Sequence, residues 1–198
     1  MKTDGGFFSM EERYASALNA LEKLKEGNKA YLNSEKNAGD ISPKSRLFLS
    51  QHGQHPYAVI VGCADSRVMP ESIFSAGLGE LFVIRAAGNV LDNFALGSVE
   101  YAAEHLGCKL IVVMGHTGCG AVGAAHGQHG GYLKHITDEI AQAIGQETDP
   151  VKASILNVKH GVQKIKTQLP DLEGVLVIGA LYHTDSGLVE FCDLPEKL

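Results

Sequence analysis

Apolar positions recur at helical spacing through residues 11–33. Tyr14, Leu18, Leu21, Leu24 and, after a shift, Tyr31 share one face, with Glu and Lys between them. Gly27-Asn28 interrupts this pattern, which predicts either one helix or two. A polar stretch punctuated by Pro43 follows at 33–44. From residue 57 the pattern changes to short unbroken apolar runs closed by glycine. Tyr57-Ala58-Val59-Ile60-Val61-Gly62 and Leu110-Ile111-Val112-Val113-Met114-Gly115 have the Val and Ile content of buried parallel strands. The whole series predicts strand 57–62, a helical turn near 70–76, strand 81–85, helix 96–106 and strand 110–115. A polar segment rich in Gly and His covers 118–132. Helices at 133–144 and 151–168 follow, the second stopped by Pro170, then strand 174–181 and a short edge strand at 189–192.

Strands alternating with helices predict an α/β fold. The expectation is a single domain, 1–198, with a mostly parallel central sheet of four parallel strands plus an edge strand, flanked by helices. Residues 1–45 form an N-terminal helical arm and 46–198 the α/β core. Such an arm packs on a partner subunit or on its own domain, and the pattern admits both.

Composition narrows the function classes. The chain has 198 residues, 44% hydrophobic and 20% charged, which suits one packed core. A net charge of −6 argues against a nucleic-acid partner or an anionic membrane. No apolar stretch approaches the roughly 20 residues that span a bilayer. Residues 1–10 hold one Lys and two adjacent Phe but no apolar signal core, so a cytoplasmic location is expected. Of the four cysteines, Cys108 and Cys192 read as small hydrophobes. In a reducing compartment the other two, Cys63 and Cys119, point to metal binding or burial rather than a disulfide.

Both of those cysteines stand just past predicted strands, in Cys63-Ala64-Asp65-Ser66-Arg67 and His116-Thr117-Gly118-Cys119-Gly120. In open α/β sheets the chemistry collects at the carboxyl ends of strands. Neighbouring strands would bring Cys63, His116 and Cys119 to one spot, beside Asp65 and Arg67. Three soft ligands with a fourth position open are the protein's share of a catalytic zinc site. The short Cys pairs of a structural zinc knuckle are missing. The plainer alternative is two buried thiols, a core histidine and an Asp65–Arg67 pair that braces its loop.

These motifs resemble the β-class carbonic anhydrases. The likeness runs from about residue 15 to 122 and resumes at 175–191. It is carried by Cys63-Ala64-Asp65-Ser66-Arg67-Val68, Gly79-Glu80-Leu81-Phe82-Val83-Ile84-Arg85, Ala87-Gly88-Asn89, the Gly115–Gly120 motif and Gly179-Ala180-Leu181-Tyr182. The resemblance implies zinc-dependent reversible hydration of carbon dioxide to bicarbonate and a proton, through zinc-bound hydroxide, with one zinc per subunit. It implies Cys63, His116 and Cys119 as zinc ligands and Asp65 and Arg67 as a catalytic dyad. It implies Gln54, Phe82, Tyr101 and the Gly120 backbone as the substrate pocket, with Gln54, Phe82 and Tyr101 supplied by the neighbouring subunit of a homodimer or dimer of dimers. Two thiolates neutralise the zinc charge, so hydroxide is stabilised less and activity is expected to rise into alkaline pH.

Some bacterial members close the zinc with the aspartate itself and hold a regulatory bicarbonate, using a Trp three residues before the first Cys. That position is Ile60 here, and the chain has no Trp. The expectation is therefore Asp65 paired with Arg67. His126, His129 and His135 are candidates for moving the released proton, or simple surface histidines. Hydrolysis of carbonyl sulfide or carbon disulfide, a non-catalytic zinc module and a nucleotide-binding domain stand as alternatives. The last lacks a Gly-x-Gly-x-x-Gly after the first strand.

Overall fold

The computed structural model describes residues 10–34 and 39–192. The leader reading at 1–10 lies outside them except for Met10, and so do residues 35–38 of the polar stretch.

Helix α1 (Met10–Asn33) runs without a break through Gly27-Asn28. The pair is a docking point. A Cβ at residue 27 would stand 2.0 Å from the Phe74 carbonyl oxygen, so only glycine allows this approach. Asn28 is buried beside it. Its amide donates to the Ile73 and Gly187 carbonyls, and its oxygen accepts from the Val189 amide. The predicted apolar face packs on the chain's own sheet, with Ala17, Leu21 and Leu24 in one cluster with Ile60, Val112 and Ile178.

Helix α2 (Pro43–His52) was not expected. Ser42 caps it by accepting from the Ser45 amide, with Pro43 in the first turn. It buries none of its residues and leaves Leu47 and Phe48 exposed, so no apolar stripe announces it. It also straddles the line expected between arm and core.

The remaining elements are β1 (Ala58–Cys63), α3 (Pro70–Ile73), β2 (Leu81–Ala86), α4 (Asn93–Glu104), β3 (Leu110–His116), α5 (Gly120–Ala124), α6 (Leu133–Ile144), α7 (Pro150–Gln168), β4 (Leu176–Tyr182) and β5 (Val189–Cys192). α4 begins three residues before the apolar pattern, because Asp92 caps it by accepting from the Ala95 amide. α5 lies inside the expected polar segment.

The strands form one sheet in the order β2-β1-β3-β4-β5. β2, β1, β3 and β4 are parallel, and β5 runs antiparallel on the edge of β4. β1, β3 and β4 are buried along their whole length, as their Val and Ile runs require. Alternate side chains serve two layers. Ile60, Val112 and Ile178 face α1 and α3, while Val59, Val61, Ile111 and Val113 face α4 and α7. A third cluster at the carboxyl edge contains Cys63, Cys119, Val122, Ile140 and Ile144. From β1 the chain first adds β2 on one side and then β3 on the other. The carboxyl ends of β1 and β3 therefore flank the topological switch point, where such sheets bind ligands. Among the described residues no helix is long and apolar enough to cross a membrane.

Candidate metal centre

Cys63 is the last residue of β1 and His116 the last of β3. The two strands pair in parallel, so both side chains end at the switch point. Past His116 the chain turns through Gly118, whose φ of +66° favours glycine, and presents Cys119 as the residue that starts α5. The three ligand atoms lie within 4.8 Å of one another, and all three residues are buried.

The spacing and chemistry fit one zinc ion. The two sulfurs are 4.0 Å apart. Two Zn–S bonds of about 2.3 Å at a tetrahedral angle would set them about 3.8 Å apart. His116 Nδ1 donates to the Thr117 carbonyl at 3.0 Å, and a carbonyl only accepts, so the proton sits on Nδ1. Nε2 then carries a lone pair, and it is buried with no hydrogen-bond partner. A metal is the group that such an atom lacks. The Cys63 thiol is pushed down, first by the hydrogen bond from Cys119 and also by the Asp65 and Gly88 amides. The Cys119 thiol is pushed up by that same bond and by burial.

Asp65 stands at the open side, with Oδ2 3.9 Å from His116 Nε2. Arg67 grips it as a fork, Nε to Oδ1 at 3.0 Å and Nη2 to Oδ2 at 2.7 Å, while the Arg67 amide donates to Oδ1. Arg67 Nη2 also donates to the Gly118 carbonyl, which ties the dyad to the loop between His116 and Cys119. These bonds hold the Asp65 carboxyl well below the usual carboxylate range. Gly120 follows Cys119 at this same end of the sheet.

Gln54, Phe82 and Tyr101 do not join this group. Gln54 precedes β1 and Phe82 lies near the start of β2, paired in register with Val59. The Tyr101 ring is 6.2 Å from that of Phe82. All three thus lie toward the amino ends of the strands, opposite the metal ligands. Gln54 and Tyr101 line a groove there of about 620 Å³, together with Leu49, Leu78 and Leu106. Of the three histidines after the metal loop, His126 lines a cavity of about 80 Å³ beside Cys119. His129 is tied to the Ala124 carbonyl, and His135 packs by Tyr132. Ile60 is buried within β1.

Two supports were missed in the sequence. Arg85 on β2 donates through Nε to the Cys63 carbonyl and through Nη2 to the Asp65 carbonyl, fixing the loop that carries both. The Gly88 amide donates to Cys63 Sγ at 3.2 Å, with the Gly88 carbonyl held by buried Asn157. A lone arginine inside an apolar strand was the available signal for the first. Nothing in a glycine's side chain could signal the second.

A parallel α/β sheet with three soft ligands at its switch point and a fixed carboxylate beside them defines a mononuclear metal-site protein. The family model for carbonic anhydrase matches residues 58–189. Carbonic anhydrase 2 of Mycobacterium tuberculosis is 44% identical over 131 residues, covering 63% of this chain and 63% of that protein, so the chain spans less than two thirds of that relative. A carbonic anhydrase of Mycolicibacterium smegmatis is 34% identical over 189 residues, covering 86% of this chain and 91% of its own. The crystal structure of the β-carbonic anhydrase CafA of Aspergillus fumigatus superposes with a TM-score of 0.66 at 28% identity, covering 91% of this chain and 93% of that one. The chain belongs to the carbonic anhydrase family, in its β class.

Proposed function

We propose that this protein catalyses the reversible hydration of carbon dioxide to bicarbonate and a proton, with one zinc per subunit held by Cys63, His116 and Cys119. The observation that supports this most is Asp65, a carboxylate fixed by Arg67 at the open side of the ligand triad. Zinc, when bound, supplies Lewis acidity that lowers the pKa of water from about 16 toward about 7, a magnitude known from three-histidine carbonic anhydrase sites. Asp65 stays ionised at neutral pH and so acts as an acceptor only. Its Oδ2 takes a hydrogen bond from the attacking water and aims a water lone pair at the substrate carbon. The water oxygen bonds to carbon, one C=O π pair moves onto oxygen, and a proton leaves to solvent. Arg67 keeps that proton off Asp65 by stabilising the carboxylate.

The substrate pocket in this reading is shared between two copies. Gly120 offers its backbone beside the metal ligands of its own chain. Gln54, Phe82 and Tyr101 of a second copy supply an orienting amide and an apolar wall suited to a small nonpolar substrate. The unit is a homodimer or a dimer of dimers, in keeping with the tetrameric β-carbonic anhydrases of Sordaria macrospora. The net charge of −6 disfavours nucleic acid and an anionic membrane as partners.

Stopped-flow hydration of carbon dioxide, with zinc quantified in wild type and Asp65→Ala, tests the reading. The expected result is rapid hydration by wild type and a loss of about a hundredfold or more in a variant that keeps its zinc. Zinc in the wild type with no hydration at any pH would overturn it.

A further inference from the structure

Thr184 lies on the turn between β4 and β5, far in sequence from the metal ligands, and no motif includes it. Its amide donates to Thr117 Oγ1 at 3.0 Å. The two threonine hydroxyl oxygens are 3.1 Å apart, and Thr184 Oγ1 is 3.4 Å from the Thr117 carbonyl oxygen. That carbonyl is the one that accepts Nδ1–H of His116.

One placement of the protons satisfies the whole group. The Thr184 amide gives to Thr117 Oγ1. The Thr117 hydroxyl gives to Thr184 Oγ1. The Thr184 hydroxyl gives to the Thr117 carbonyl, whose second lone pair takes the His116 proton. Each donor has one acceptor, and the chain of bonds ends on the imidazole.

We propose that Thr184 is a positioning residue for the metal centre: by bonding the hydroxyl and the carbonyl of Thr117, it fixes the carbonyl that keeps His116 protonated on Nδ1, with Nε2 free for the metal. This rests on the zinc reading above. The latch acts where strand pairing ends. The Thr117 amide makes a last sheet bond to the Tyr182 carbonyl, and the chain then turns through Gly118. Thr184 holds the peptide between those two points. Its own turn is well anchored. The His183 amide donates to the Leu188 carbonyl and the Gly187 amide to the His183 carbonyl, both at 2.8 Å. Asn28 of α1 clasps the same turn through the Gly187 carbonyl and the Val189 amide. A ligand histidine held in one tautomer by such a partner binds its metal more tightly, and losing the partner costs about tenfold to a hundredfold in affinity.

Thr184→Val keeps the shape and removes the hydroxyl, while Thr184→Ser keeps the hydroxyl. Zinc affinity is measured for wild type and both variants by competition with a chromophoric chelator. The His116 tautomer in the metal-free proteins is read from ¹⁵N NMR, and their melting temperatures are recorded alongside. The expected result is one zinc bound tightly by wild type, binding up to about tenfold weaker in Thr184→Val, which keeps the carbonyl but frees it to move, and near-wild-type binding in Thr184→Ser. The Nδ1–H signal of His116 gives way to a mixture of tautomers in the valine variant alone, with the metal-free melting temperatures unchanged. Unaltered affinity and tautomer in Thr184→Val would sink the latch while leaving the zinc site standing. A loss that serine does not restore and that follows the metal-free melting temperature would also overturn it. Wild type that binds no zinc would remove both the metal reading and the proposal.

Discussion

In the proposed reaction Asp65 serves only as a carboxylate, and the Arg67 fork keeps it one. Its folded-state pKa is depressed, chiefly by the Arg67 side-chain hydrogen bonds. The stability this contributes is present above about pH 4 and is lost as pH falls through the folded value. Between pH 6 and 9 the charge on Asp65 is therefore constant, and any change of activity there comes from other groups. Arg67→Lys keeps the positive charge but loses the planar fork. Carbon dioxide hydration by this variant is expected to fall about tenfold. Its stability should stay within about 0.5 kcal/mol of wild type, because Arg67 is more than half exposed. Stopped-flow assays and thermal scans on the same samples check both. At this scale the Cys63, His116 and Cys119 cluster was legible because reactive side-chain types stood next to glycines at strand ends, with Asp65 and Arg67 close behind the first. Arg85 and Gly88 stand in the family motifs, but their roles were not legible, and Thr184 stands in no motif. Arg85 reaches the carbonyls of Cys63 and Asp65, Gly88 gives a main-chain amide, and Thr184 meets Thr117 only across the sheet, so their partners leave no mark in the local pattern.

Helix α1 shows how an element can contradict its own propensities. In an isolated helix Gly27→Ala would stabilise by about 1 kcal/mol. Here the new Cβ would meet the Phe74 carbonyl at 2.0 Å, and main chain cannot swing aside as a side chain does. The sign reverses, and a loss of about 2–3 kcal/mol is expected, read as a lower urea midpoint. An unchanged midpoint would mean that α1 is not seated on α3 in solution. Between α6 and α7, Glu139 accepts from Lys164 and His160. Burial alone would raise its pKa, but these bonds outweigh it and the net shift is downward. Its contribution is thus full above the ordinary glutamate pKa and lost as pH falls through the folded value. Glu139→Gln should cost about 1 kcal/mol at pH 7, and its difference from wild type should shrink toward zero near pH 3 in urea titrations. Most elements followed from apolar periodicity. α2 did not, since a helix that buries nothing within its own chain needs no stripe. The Gly27-Asn28 pair read as an interruption because a close backbone contact and a helix break both call for glycine.

For the whole molecule, the proposed pocket places Asp65 and Gln54 of one site on different chains. Asp65→Ala and Gln54→Ala homodimers should each be nearly inactive. After dissociation and mixing, half the dimers are hybrids with one intact site of two, so about one quarter of wild-type hydration should return. No recovery, with hybrids verified by mass spectrometry, would place both residues in one chain's site. The sequence by itself determined the alternation of strands and helices, the buried core strands, and the residues of the Cys-His-Cys cluster and the Asp65–Arg67 pair, because each is written in local side-chain type and period. The tertiary structure decided what depends on residues distant in sequence. It set the strand order that brings Cys63 beside His116, the seating of α1 on its own sheet, and the separation of Gln54, Phe82 and Tyr101 from the metal end. It also joined Thr184 to Thr117. A one-dimensional pattern carries spacing along the chain, whereas these contacts arise only when the sheet sets its strands side by side.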